Sequence, residues 1–165
     1  MKKYYTSLYS MWVLATLLIG IFYLMMPQSY DTTEAPLSEF STQRALEKVK
    51  EMTTKPHSVG SQNHEVVANY LVKELRNLGL ETSIQEGFTM TEKGTLVQSK
   101  NILARIKGSA NTKALLLLSH YDSAPHSFSY GASDDASGVA TILESVRAFL
   151  HTKTKHKNDI IILKW

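Results

Sequence analysis

Two apolar runs in the second half of the sequence constrain the fold most. They are Ala114–Leu118 (ALLLL) and Ile160–Leu163 (IIIL). Neither alternates with polar residues, so each is expected to form a buried strand, and Ala114–Leu118 fits a strand covered on both faces. Between them, Ser137–Leu150 places Val139, Ile142, Leu143, Val146 and Leu150 at helical spacing. Polar residues 153–158 then turn the chain. Strand, loop, helix, strand is the order of a parallel βαβ unit.

Upstream, the same patterning predicts two more helices. Ser41 stands where an N-cap belongs, before Ala45, Leu46, Val49 and Met52, and Lys55-Pro56 stops that segment. After the turn PHSVGSQN, either Ser61 or Asn63 can cap a helix bearing Val66, Val67, Tyr70, Leu71, Leu75 and Leu78. Gly79 follows at the position of a left-handed C-terminal cap. Glu81–Gln85 and Asn101–Ile106 alternate and are strand candidates, the first at an edge.

The N-terminus is of another kind. Met11–Met26 (MWVLATLLIGIFYLMM) carries no charge, Leu8 and Tyr9 extend it, and Lys2 and Lys3 precede it. That is about the minimum length for a spanning helix. The flanking lysines place the N-terminus in the cytoplasm and the rest of the chain across the membrane. A cleaved signal peptide shares the charge asymmetry, but the following MMPQSYDTTEAP lacks the usual small-x-small cleavage site. The expected organisation is a tip and transmembrane anchor over 1–26, a linker over 27–39 and a folded domain over 40–165.

Composition matters here for what it excludes. Without Lys2 and Lys3 the chain has 16 basic and 15 acidic residues, so no concentrated basic face suits it to nucleic acid. With no cysteine, disulfides and thiolate zinc fingers are ruled out within this stretch. A metal here must be held by His, Asp or Glu.

Such residues cluster where parallel α/β sheets build their sites, past the C-terminal ends of strands. Ser119, His120 and Asp122 follow the ALLLL run, and Asp134-Asp135 precedes the helix from Ser137. Imidazole and carboxylate suit zinc when thiolate is absent. Spacing alone leaves blander roles open. A His-x-Asp pair is common, Asp134 and Asp135 could serve as helix N-terminal acids, and Gly131, Ser137 and Gly138 could be turn and capping residues.

The segments SHYDS and YGASDDASGVATILE together resemble the zinc-dependent aminopeptidase family of co-catalytic di-zinc exopeptidases. That family includes bacterial leucyl aminopeptidases, glutamate carboxypeptidase-like proteins and endoplasmic-reticulum metallopeptidases. PHSVGSQNHEVVANYLVKELRNLGLE is similar to its membrane-embedded members, and the resemblance runs from about Phe40 onward. It implies an α/β three-layer sandwich with a mixed, largely parallel central sheet, the phosphorylase/hydrolase-like zinc exopeptidase fold, incomplete here. It implies two Zn2+ ions, a peptide substrate, and hydrolysis at an N-terminal residue by a di-zinc-activated water. Carried over by position, His120 is implied as a terminal ligand of one zinc, Asp122 as the catalytic acid that orients the metal site, and Asp134 as the carboxylate bridging both ions. Asp135 is expected to be loop structure.

In that family the strand after the third helix leads to a Glu-Glu pair that supplies the general base and a ligand, and a further Asp and a distant His complete the centre. The sequence stops at Ile161–Trp165 within that strand. The expectation is therefore a fragment, inactive by itself, with the base and three ligands beyond Trp165. Two alternatives keep the fold: a glutaminyl cyclase-like enzyme, and a non-catalytic, membrane-tethered receptor-like domain. The SGV after Asp134-Asp135 favours the peptidase, and retention of His120 and Asp134 argues against the receptor.

Overall fold

The computed structural model describes residues 2–26, 35–91, 93–110, 113–125 and 128–165. The chain divides into two units, residues 1–31 and 32–165. In the first, helix α1 spans Lys2–Met25. Its Leu8–Met25 stretch has a mean hydropathy of 2.0 and is long and apolar enough to cross a membrane. At about 1.5 Å per residue the whole helix is about 36 Å long, against a hydrocarbon core of about 30 Å. Thr16 Oγ1 donates to Trp12 O at 2.9 Å, so that hydroxyl is satisfied within the helix itself.

The second unit has α2 (Thr42–Met52), α3 (Gln62–Asn77), β1 (Thr82–Met90), β2 (Leu96–Ile106), β3 (Ala114–Ser119), α4 (Ser137–Thr152) and β4 (Asp159–Lys164). The caps fall where the short polar residues predict. Ser41 Oγ accepts from Arg44 N and Ser61 Oγ from His64 N. Between the two candidates for the second cap, Ser61 takes the role, and Asn63 Nδ2 donates instead to Pro56 O at 3.0 Å. Gly79 adopts φ +77°, the left-handed geometry expected of it.

The sheet is mixed, in the order β1-β2-β4-β3. β1 with β2 and β2 with β4 run antiparallel, so among the described strands the parallel part is confined to β3 and β4, the predicted βαβ unit. Ile102, Ala104 and Ile106 of β2 and Ile162 of β4 join Val67, Leu71 and Leu75 of α3 and Val139, Leu143 and Val146 of α4 in one core, with Leu117 of β3 packed against it. Helices α3 and α4 therefore cover one sheet face with α2 packed against α4, and two layers of the expected three are present among the described residues.

Two expectations need correction. β3 is not covered on both faces: Leu116 and Leu118 are each 52% exposed. It is an edge strand whose one neighbour among the described strands is β4, and alternation turns those two leucines away from the helices. Leu46 and Val66 are exposed as well, because they lie at the margin of their helical stripes. The linker expected over 27–39 is described only from residue 35. Residues 27–34 lie outside the described residues, but Arg44 and Arg147 donate to the carbonyls of Ala35, Pro36, Leu37 and Glu39.

Candidate metal centre

Just past β3 the chain is pinned to the end of β4. Trp165 N donates to Ser119 O at 3.2 Å and Tyr121 N to Trp165 O at 2.9 Å. His120 emerges between these bonds, with its ring centroid 5.8 Å from that of Trp165. Its Nδ1 lies 3.0 Å from Asp122 Oδ1 and its Nε2 3.0 Å from Asp134 Oδ1. Burial draws the imidazole's proton affinity down, but the hydrogen bonds to Asp134 and Asp122 outweigh it, and the net shift is upward. The ring is thus held between two carboxylates.

Asp134 reaches His120 because the backbone breaks ahead of α4. Gly131, at φ +68°, opens a wide turn over Ala132–Ala136, and Asp134 departs from helical geometry at φ −134°, ψ 88°. Its side chain is 85% exposed. Asp135 turns the other way, and its Oδ1 accepts from Gly138 N at 3.1 Å. A Cβ on residue 138 would sit 2.2 Å from that oxygen, so a larger residue there would displace the Asp135 carboxylate. The adjacent acids are therefore separated, Asp134 toward His120 and Asp135 onto the start of α4, as loop structure.

Ser119 does not join the cluster. Its hydroxyl accepts from Lys164 Nζ at 2.6 Å, and both residues are buried. Burial pulls the Lys164 ammonium down to about 7, with the Asp135 charge acting the opposite way. Sequence reading missed Lys164, because an apolar strand conceals one inward-facing amine. It also passed over the groups beneath His120. Tyr121 is 1% exposed, its ring stacks on His64 at 4.6 Å with planes 8° apart, and its hydroxyl donates to Lys100 O at 2.9 Å. Ser123 Oγ accepts from His57 N at 2.8 Å, and Ser123 N donates to His57 O. The available signal was the pair of histidines bracketing the turn, His57 and His64.

His120 Nε2 and Asp134 Oδ1 are a nitrogen and an oxygen donor of the kinds zinc takes. Two ligands each about 2.0–2.1 Å from a tetrahedral zinc stand about 3.3 Å apart, close to the 3.0 Å seen here. Asp122 on Nδ1 is the carboxylate that typically orients such a ligand. These residues fit a partial donor set, and among the described residues no group of three His, Asp or Glu forms a fuller one. Beside Asp122 opens a cleft of about 510 Å³, lined also by Val59, Met90, Val97, Pro125 and Trp165.

The family model for Peptidase family M28 matches residues 101–165, the stretch that holds His120, Asp122 and Asp134. A vacuolar membrane protease of Candida albicans (strain WO-1) is 35% identical over 103 residues, which are 61% of this chain and 12% of that protein. A Porphyromonas gingivalis glutaminyl cyclase is 30% identical with a TM-score of 0.69, covering 76% of this chain and 45% of that one. A Zn-dependent exopeptidase from Parabacteroides distasonis is 25% identical with a TM-score of 0.67, covering 79% and 48%. The chain thus spans about an eighth of the Candida protein and under half of either solved structure. Residues 101–165 thus match peptidase family M28, and the chain shares its fold with a Zn-dependent exopeptidase.

Proposed function

We propose that this chain contributes His120, Asp122 and Asp134 to the centre of a membrane-anchored, zinc-dependent exopeptidase of the aminopeptidase type. The observation that carries the reading is His120 held from behind by Asp122 at 3.0 Å while its other nitrogen faces Asp134 at 3.0 Å. His120 and Asp134 would hold the metal, and Asp134, largely exposed, has a second oxygen to offer a second ion. Bound zinc supplies Lewis acidity and a water acidified to near neutral pH. Asp122 keeps Nδ1 protonated, so that Nε2 presents its lone pair. The neighbouring cleft, walled mainly by apolar side chains, has the size to receive a peptide end.

The test uses the protein expressed from its own gene, stripped with a chelator and reloaded with zinc. Hydrolysis of aminoacyl chromogenic substrates should vanish on stripping and return on reloading. The glutaminyl cyclase likeness favours a second reading. Zinc-dependent ring closure of N-terminal glutaminyl peptides, with no release of amino acids, would select it. If zinc restores neither reaction, the catalytic proposal fails.

The domain division is proposed likewise: anchor over 1–26, linker over 27–39, peptidase region over 40–165. Lys2 and Lys3 ahead of the apolar stretch favour a cytoplasmic N-terminus and a domain on the far side of the membrane, lumenal or extracellular. The chain should stay in the membrane pellet after carbonate extraction, and residues beyond 27 should be open to protease from that far side only. A shortened soluble form beginning after Met26 would overturn the anchor.

A further inference from the structure

Past the end of β3, alternation puts His120 and Asp122 on the solvent side and Tyr121 and Ser123 on the inner side. The inner pair is fixed at several points. Tyr121 is tied to β2 through its hydroxyl on Lys100 O and to the end of β4 through its amide on Trp165 O. Ser123 exchanges two hydrogen bonds with the backbone of His57. A further restraint on Tyr121 is the imidazole of His64, 4% exposed and nearly parallel to the phenol ring. His64 in turn is set by the first turn of α3, where its amide donates to the Ser61 cap at 3.1 Å. Burial lowers its proton affinity, although Asp122 acts in the opposite sense.

We infer that His64 is a positioning residue for the candidate metal centre: stacked beneath Tyr121, it sets the angle at which His120 and Asp122 leave the strand. The inference rests on the centre proposed above for His120 and Asp122. It requires of residue 64 a flat ring and not an imidazole nitrogen. Phenylalanine should therefore replace it, while leucine, apolar but not planar, should not.

The test is made on the 165-residue chain in detergent micelles, with histidines labelled by 15N and no metal added. The His120 ring signals are assigned by their loss in His120→Gln. In the wild type the His120 ring N–H signals should be observable, protected by the carboxylate contacts of Asp122 and Asp134. His64→Phe should retain them, and His64→Leu should lose them to fast exchange while keeping its far-ultraviolet circular dichroism. Zinc affinity, read separately by competition with a chromogenic chelator, should fall about 10–100-fold in His64→Leu and stay within about threefold in His64→Phe.

A folded His64→Leu chain with unchanged His120 signals would overturn the inference. So would a folded His64→Phe chain that loses them. Should His64→Leu fail to fold, the His64→Phe result still decides. A wild type that shows the protected protons but binds no zinc would remove the metal reading and leave the positioning role standing.

Discussion

Replacing Glu144 with alanine is expected to destabilise the folded domain by about 3–5 kcal/mol, the range for leaving a buried ion pair without one partner. Glu144 is fully buried in α4, and its carboxylate accepts from Ser41 N at 2.9 Å, Arg44 Nε at 2.9 Å, and Arg147 Nε and Nη2 at 2.8 Å each. The same two guanidinium groups hold the carbonyls of residues 35–39. One carboxylate thereby fastens the segment entering the domain to both α2 and α4. Alanine leaves two arginines facing a void and removes the carboxylate that accepts from the Ser41 amide. Glutamine, of the same shape but neutral, should cost less, about 1.5–3 kcal/mol, the worth of a charge-assisted hydrogen bond.

The checking measurement is the denaturant midpoint of the wild type and both variants at constant m-value. A loss below about 1 kcal/mol for Glu144→Ala would show that the cluster contributes no more than an exposed ion pair. Acidity supplies an independent check. Burial raises the proton affinity of Glu144, but the bonds from Arg147, Arg44 and Ser41 more than offset it, and the net shift is below the ordinary 4.5. Its contribution is therefore complete above the unfolded value and is lost as pH falls through the folded one. The stability difference between the wild type and Glu144→Gln should be flat near neutrality and shrink only in acid below about 4.5.

The second large effect falls on metal affinity. His120→Ala removes one of the two donors that face each other, and Asp134→Asn weakens the other. Each should lower zinc affinity of the chain at least tenfold, by analogy with losses at metal sites. Asp122→Asn should lower it about 10–100-fold without removing a donor, because the amide no longer fixes the imidazole tautomer. Asp135→Asn is the contrasting variant. Its carboxylate is committed to Gly138 N, so it should leave zinc affinity within about twofold and act instead on the start of α4. Competition with a chromogenic chelator checks the series. Unchanged affinity in His120→Ala, or a loss in Asp135→Asn as large as in Asp134→Asn, would refute the assignment of donors. With two donors placed among the described residues, most of the ion's remaining positions fall to water, so the chain itself should bind zinc far more weakly than a closed three- or four-ligand site.

The sequence by itself determined the elements whose signals are local. An uncharged run marks α1, short polar caps at Ser41 and Ser61 start α2 and α3, and Gly79 ends α3. The spacing ALLLL, SGVATILESVRAFL, DIIIL specifies β3, α4 and β4 as a parallel unit. Spacing also marked His120, Asp122 and Asp134 as a candidate cluster, after a strand and before a helix, but left their roles open. The tertiary structure alone decided which residues complete these elements. It put β2 antiparallel against β4, left β3 at an edge with Leu116 and Leu118 facing out, and turned Asp134 toward His120 but Asp135 onto Gly138. It alone joined Glu144 to Arg44, 100 positions away, and stacked His64 under Tyr121. Periodicity reports which side of its own helix or strand a residue occupies. What stands opposite depends on the path of the whole chain, and a buried charge or a stacked ring is stabilised only by a partner that path delivers.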